Sequence, residues 1–166
     1  MKLNLGCSLY KIDGFVNIDS NPSVNPDVIC EIPKGLEQFK NNSIELIYMG
    51  HFLEHLNYTK SLVCLRECYR ILAPQGQLMV VSPDVDIAYM SYLNKKITFD
   101  RFQDVILGNE LDHKQIFTIS KLYILFSEAG FKDIALMDLY RCPYILVPDI
   151  NNPIPEPIQS GIVGKK

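Results

Sequence analysis

Short apolar runs recur along this chain, each breaking off at a polar residue, and that rhythm restricts the fold more than any other feature. Leu3 to Leu5 runs straight into Gly6-Cys7-Ser8, and Phe15 to Ile18 stops at Asp19. Val28-Ile29-Cys30, within a run from Asp27 to Ile32, meets Glu31, and Ile44 to Met49 is followed by Gly50-His51. The runs have strand length, and the later ones are continuous and apolar, as strands covered on both faces are. Asn41-Asn42-Ser43 supplies the turn before the fourth run.

A helix from about Asn57 to Leu72 follows, with Leu62, Leu65, Tyr69 and Leu72 at helical spacing. Pro74-Gln75-Gly76 stops it, and Gln77 to Ser82 reads as a fifth strand ended by Pro83. A second helix, Ser120 to Ala129, takes Ser120 as its cap and Gly130 as its stop. Phe131 to Leu139 and Ile158 to Lys166 read as strands six and seven, joined by a proline-rich extended connector at Asn151 to Pro157. Residues 84–118 are less regular and suit an insert or lid of short helices. The expected fold is therefore α/β, a Rossmann-like three-layer sandwich on a mainly parallel sheet of about seven strands. The 166 residues suit a single domain spanning 1–166.

Composition narrows the partners. With 48% apolar and 21% charged residues the chain is globular. A net charge of −3 and four arginines leave no phosphate-tracking surface, so no nucleic acid is expected. No apolar run is long enough to span a bilayer, so no membrane partner is expected. Leu5-Gly6-Cys7 superficially resembles a lipoprotein cleavage site, but no charged and apolar stretch precedes it, and a cytoplasmic protein is expected. Five cysteines form no even framework, and Cys64 and Cys68, four apart on one helix face, read as buried thiols. No metal is expected from them, because two further ligands at suitable spacing are missing.

Four polar features thus follow four strands in order: Gly6-Cys7-Ser8, Asp19, Glu31 and His51. A parallel sheet gathers its carboxyl ends on one rim, so these residues would meet around one pocket. Glycine after the first strand allows close approach to the backbone, and a carboxylate after the second can accept hydrogen bonds from two ribose hydroxyls.

The ordered set resembles the class I S-adenosylmethionine-dependent methyltransferases, in particular a small subgroup that begins at the first strand. The resemblance is carried by Leu3-Asn4-Leu5-Gly6-Cys7-Ser8, Gly14-Phe15-Val16-Asn17-Ile18-Asp19 and Pro26-Asp27-Val28-Ile29-Cys30-Glu31-Ile32. It continues through Ser43 to Tyr48, His51-Phe52-Leu53-Glu54-His55-Leu56, Glu67 to Leu78, Ser82-Pro83-Asp84 and Glu128-Ala129-Gly130-Phe131. It implies S-adenosylmethionine as methyl donor. Leu5, Gly6, Cys7 and Ser8 would line its methionine part, Asp19 with Ser20 its ribose, and Glu31 and Ile32 its adenine. His51 would stand near the sulfonium as a cofactor contact and candidate catalytic group. The acceptor is expected to be a small molecule or saccharide, and assembly as a homo-oligomer is compatible with the sequence. Ser8 and Tyr10 occupy places where the family has further glycines, and the short Gly6–Asp19 interval leaves little room for the usual first helix.

Two other readings stand beside this one. The shortened glycine loop motivates a non-catalytic module that binds S-adenosylmethionine or S-adenosylhomocysteine without transferring a methyl group. His51-x-x-Glu54-His55 also fits an inverted zinc-peptidase pattern, which would place both histidines on one helix face but needs a downstream acid on a second helix, where this chain has Glu110 and Asp112 in an irregular stretch. A plainer role for Glu54 and His55 is to cap the helix that follows. His113, in the insert, is either a general base or a satisfied polar residue. Tyr89, Tyr92, Phe99 and Phe102 are expected to pack the insert down.

Overall fold

The computed structural model describes residues 1–108, 111–139, 141, 142, 144 and 158–166. The apolar runs form β1 (Lys2–Leu5), β2 (Val16–Asp19), β3 (Val28–Ile29), β4 (Ile44–Gly50), β5 (Leu72–Pro83), β6 (Lys132–Leu136) and β7 (Gln159–Lys165). The helices are α1 (Tyr58–Ile71), α2 (Val85–Leu93), α3 (Phe99–Leu107) and α4 (Ile119–Ala129). One sheet joins the strands in the order β3-β2-β1-β4-β5-β7-β6. The ladders from β3 to β5 are parallel, and β7 runs antiparallel between β5 and β6. The fold is thus the Rossmann-like α/β architecture expected. The chain moves outward from β1 to β3 and then crosses back to β4, so the switch point lies between β1 and β4.

The continuous apolar character of β4 and β5 is explained by burial on both faces. Ile47, Met49, Leu78 and Val80 point into the larger core with Cys64, Leu65 and Cys68 of α1 and Leu122, Leu125 and Phe126 of α4. Leu46, Tyr48 and Val81 point the other way, under Ile12, Phe15, Met137, Leu139 and Tyr144. Cys64 and Cys68 are fully buried free thiols, as their shared helix face predicted.

Several boundaries differ from the expected ones. β3 covers only two residues of Asp27 to Ile32, because the chain turns away toward Pro33, which has no N–H for a ladder. β5 starts directly at Leu72, where α1 ends, since Leu72 pairs with Ile44; Pro74-Gln75-Gly76 therefore lies inside the strand, with Gln75 left-handed at φ 67°. α4 is capped by Thr118 rather than Ser120, Thr118 Oγ1 accepting the Lys121 N–H at 3.2 Å. Gly130 closes that helix at φ 100°, as expected. β6 ends at Leu136 instead of Leu139. The connector Asn151 to Pro157 lies outside the described residues. Among those described, no helix is long and apolar enough to cross a membrane.

The short β1–β2 connection contains no helix, and a buried asparagine organises it instead. Asn17 Oδ1 accepts hydrogen bonds from Asn4 Nδ2 at 2.9 Å and the Ile12 N–H at 2.8 Å. Asp27 Oδ2 in turn accepts from the Asn17 N–H at 2.8 Å and Asn17 Nδ2 at 2.9 Å. These bonds, the backbone one first, hold the Asp27 carboxyl below its ordinary range. A carboxyl lowered in the folded state stabilises above its unfolded pKa, and that contribution is lost as pH falls through the folded value. The stability difference between wild type and Asp27→Asn, read by urea unfolding, is expected to shrink as pH falls from about 5 to about 2. A difference constant over that window would show that the Asp27 charge plays no part.

Candidate active site

β1 delivers the chain to the rim and Gly6 turns it. Gly6 stands at φ 68°, and a Cβ there would overlap the ring of Phe52. The Gly6 and Cys7 N–H groups both donate to the Ile18 carbonyl, at 2.9 and 3.0 Å, which ties the loop to β2. Leu5 and Cys7 have buried side chains, so the exposed part of this loop is its backbone and Ser8. Burial, then the nearby Asp19 charge, pushes the Cys7 thiol up, so it is neutral at pH 7.

Asp19 ends β2 between two loops. Its Oδ2 accepts the Ser8 N–H at 2.8 Å, and its Oδ1 accepts the Asn21 N–H at 2.9 Å. Each oxygen keeps a second acceptor direction. Ser20 beside it is exposed. At the neighbouring strand end Glu31 is exposed and Ile32 is buried, so this corner offers an apolar wall with a carboxylate at its lip.

His51 lies just past β4, at φ 53°, with its N–H donating to the Val81 carbonyl at 2.9 Å. Its Nε2 meets Gln159 Oε1 at 2.5 Å, and its Nδ1 makes an ion-pair contact with Glu54 Oε1 at 3.4 Å. Glu54 is buried, and its Oε2 accepts the Ser82 hydroxyl at 2.9 Å. Burial disfavours charge on both groups, yet the pairing outweighs it. The His51 imidazole is held above its ordinary value and the Glu54 carboxyl below its own.

Glu54 and His55 sit in a short 3-10 turn, Leu53–His55, and do not cap α1. Asn57 caps it, Oδ1 accepting the Lys60 N–H at 2.9 Å. The peptidase geometry fails for the same reason. His51 ends a strand while His55 turns toward Asp112 and His113, so the two histidines share no helix face. Glu110, the other acid of that reading, lies outside the described residues. The Glu54 carbonyl accepts the Lys114 and Gln115 N–H groups at 2.8 and 3.2 Å, stitching the end of the insert to the β4 rim. His113 stands beside Glu54 and His55, whereas His51 meets Gln159 of β7. Tyr92 stacks on Phe102 at 5.6 Å beside Ala88, Ile97 and Val105, so the insert aromatics pack α2 against α3 as expected.

Sequence reasoning missed Gln159, Ser82 and Phe52. Gln159 is 108 residues from the histidine it meets. Ser82, at the end of a buried strand, was the one with a local signal, since a hydroxyl in an apolar run needs a partner.

A family model described as a methyltransferase domain matches residues 6–136. The chain belongs to that methyltransferase family. A search among curated proteins finds no match. In solved structures the same fold appears in an S-adenosylmethionine-dependent methyltransferase of Archaeoglobus fulgidus, with a TM-score of 0.67 at 18% identity, covering 99% of this chain and 85% of that one. An S-adenosylmethionine-dependent methyltransferase of Thermotoga maritima gives 0.65 at 17%, covering 99% and 81%. Human N-acetylserotonin methyltransferase, solved in complex with S-adenosylmethionine, gives 0.61 at 14%, covering 99% of this methyltransferase but 47% of its own chain. The match spans the glycine turn, Asp19 and the histidine rim together, so all three belong to the family's domain.

Proposed function

We propose that this methyltransferase moves a methyl group from S-adenosylmethionine to a small molecule or saccharide, on the rim where β1, β2 and β4 end. The observation that carries the reading is Asp19, whose two oxygens each accept one backbone N–H beside the switch point and each retain capacity for a ribose hydroxyl. The donor set suits the cofactor: a backbone turn at Gly6 to Ser8, a carboxylate at Asp19, and the apolar Ile32 for a base. When bound, the cofactor supplies an electrophilic methyl group on a sulfonium.

The chain's own residues bind, orient and hold a proton. Glu54 engages Nδ1 of His51, which leaves Nε2 as the nitrogen for an incoming hydroxyl or amine. In the neutral imidazole whose proton sits on Nδ1 toward Glu54, Nε2 keeps its lone pair, and an acceptor that displaces the Gln159 amide would place its proton there. His51 is preferred over His113 for this role because it directly follows β4 and precedes Phe52, the residue beside the glycine turn. The α2–α3 insert, 84–118, would form the acceptor wall. The acidic net charge favours acceptors other than nucleic acid. Five free cysteines suit a reducing compartment such as the cytoplasm.

A non-catalytic binding module is the second reading. It is favoured by one observation: both His51 nitrogens are engaged. Thermal unfolding with S-adenosylmethionine, S-adenosylhomocysteine and NAD tests the cofactor. A ligand at a hundred times its dissociation constant adds about 2.7 kcal/mol. Stabilisation by the two adenosyl ligands and not by NAD is expected, followed by methyl transfer to members of a hydroxyl, amine and sugar panel. Binding without transfer to any of them would support the module, and no stabilisation by either adenosyl ligand would remove both readings.

A further inference from the structure

We propose that Glu54, His55 and His113 form a binding site for a borderline divalent transition metal, of which Zn2+ is the model case. One nitrogen of each imidazole and one carboxylate oxygen lie within 4.8 Å of one another. The residues converge from the 3-10 turn after β4 and from the end of the insert, two segments already joined through the Glu54 carbonyl. The sequence pattern joined Glu54 and His55 to His51 rather than to His113, which is 58 residues from His55 and is brought to it only by the fold.

Three observations go beyond proximity. His55 Nδ1 lies 3.1 Å from Asp112 Oδ2, and His113 Nδ1 lies 3.3 Å from the Ile106 carbonyl. Each imidazole thus has an acceptor at Nδ1, which selects the tautomer with a lone pair on Nε2. Metal-bound histidines are oriented in this way by carboxylates and carbonyls. The rings stand nearly perpendicular at 79°, with centroids 5.1 Å apart, so they do not stack on each other. Finally, Glu54 Oε1 is buried and makes no hydrogen bond; its contact to His51 Nδ1 at 3.4 Å is an ion pair only. Oε2 carries one hydrogen bond, from Ser82, so the buried carboxylate keeps acceptor capacity that a cation can use.

The donor chemistry selects the metal. Two imidazoles and a carboxylate suit Zn2+ and its transition-metal neighbours, and do not suit Mg2+ or Ca2+, which take oxygen ligands. Tetrahedral zinc with ligands at about 2.0–2.1 Å places donors roughly 3.3 Å apart, so the site closes by about 1.5 Å on binding. His55 and His113 are only partly buried and can supply that movement. A fourth position stays open to water. A metal here would pin the insert to the β4 rim next to His51. The inference is independent of the methyl-transfer reading, and the metal alone tests it.

The full chain, without an affinity tag and stripped with a chelator, is titrated with Co2+ and Zn2+. One ion per chain is expected, with the intense visible bands of low-coordinate cobalt and no thiolate charge-transfer band. His55→Ala and His113→Ala should each weaken affinity at least tenfold, and Asp112→Asn roughly tenfold, because Asp112 orients His55 through Nδ1. Circular dichroism confirms that each variant is folded. Failure of wild type to bind either ion stoichiometrically would overturn the site. So would a thiolate band, or affinity unchanged in both folded histidine variants.

Discussion

Asp19→Ala is expected to weaken S-adenosylmethionine binding by one to two orders of magnitude while leaving the chain folded. Hydrogen bonds to a charged acceptor contribute about 1.5–3 kcal/mol each, so losing one or two gives at least a tenfold change. The fold survives because the groups released are the N–H donors of Ser8 and Asn21, both at the exposed rim, where water replaces the carboxylate. Part of the loss is indirect. Ser8 holds a left-handed conformation at φ 46°, and its bond to Asp19 is one of the restraints that keeps it there. Asp19→Asn is intermediate, since its amide keeps one oxygen for the Ser8 or the Asn21 N–H and one hydroxyl, but presents a donor to the other pair. Titration calorimetry should place Asn between wild type and Ala. A folded Ala variant with wild-type affinity would refute the ribose assignment.

What could be read in advance depended on how local the cause was. The strands β4 and β5 were legible because they are buried on both faces, which favours apolar runs; the links among β1 to β4 carry only short 3-10 turns and no α-helix. The rim order was legible because Gly6, Asp19 and His51 stand at or directly after the ends of β1, β2 and β4, with Glu31 two residues past β3. The extent of β3 was not, since two ladder residues followed by a turn toward proline look like a longer strand in sequence. The cap of α4 went to Thr118 over Ser120, two residues that fit the same chemistry. Glu54 shows the larger limit. Its spacing to His51 and His55 suggested either a cap or a zinc helix, but a left-handed residue at His51 followed by a 3-10 turn left Glu54 against His51 and turned His55 toward Asp112 and His113. What Glu54 does is set by Ser82, Gln115 and His113, residues 28 to 61 positions away, and no local pattern encodes those meetings.

Gly6→Ala should lower stability by about 3 kcal/mol, from two sources that can be separated. A non-glycine residue at φ 68° costs about 1–2 kcal/mol, and forcing a methyl group into a packed ring adds about 1–3 kcal/mol. For a chain of this length that is roughly 10 °C in Tm. Phe52→Ala removes the ring but not the backbone constraint. The double variant should therefore be at least about 1 kcal/mol more stable than the two single losses predict, the non-additivity expected of residues in contact. Strict additivity would mean that the ring yields freely and the backbone carries the whole effect. The coupling matters for function because Phe52 immediately follows His51, while Gly6 starts the loop held by Asp19. A shift at one is transmitted to the other through a single contact. In the double variant, stability recovers in part, but the glycine loop and the histidine rim are no longer held in register. Cofactor affinity and turnover should then remain depressed even where Tm has returned toward that of Phe52→Ala alone, and recovery of all three together would show that the contact serves packing only.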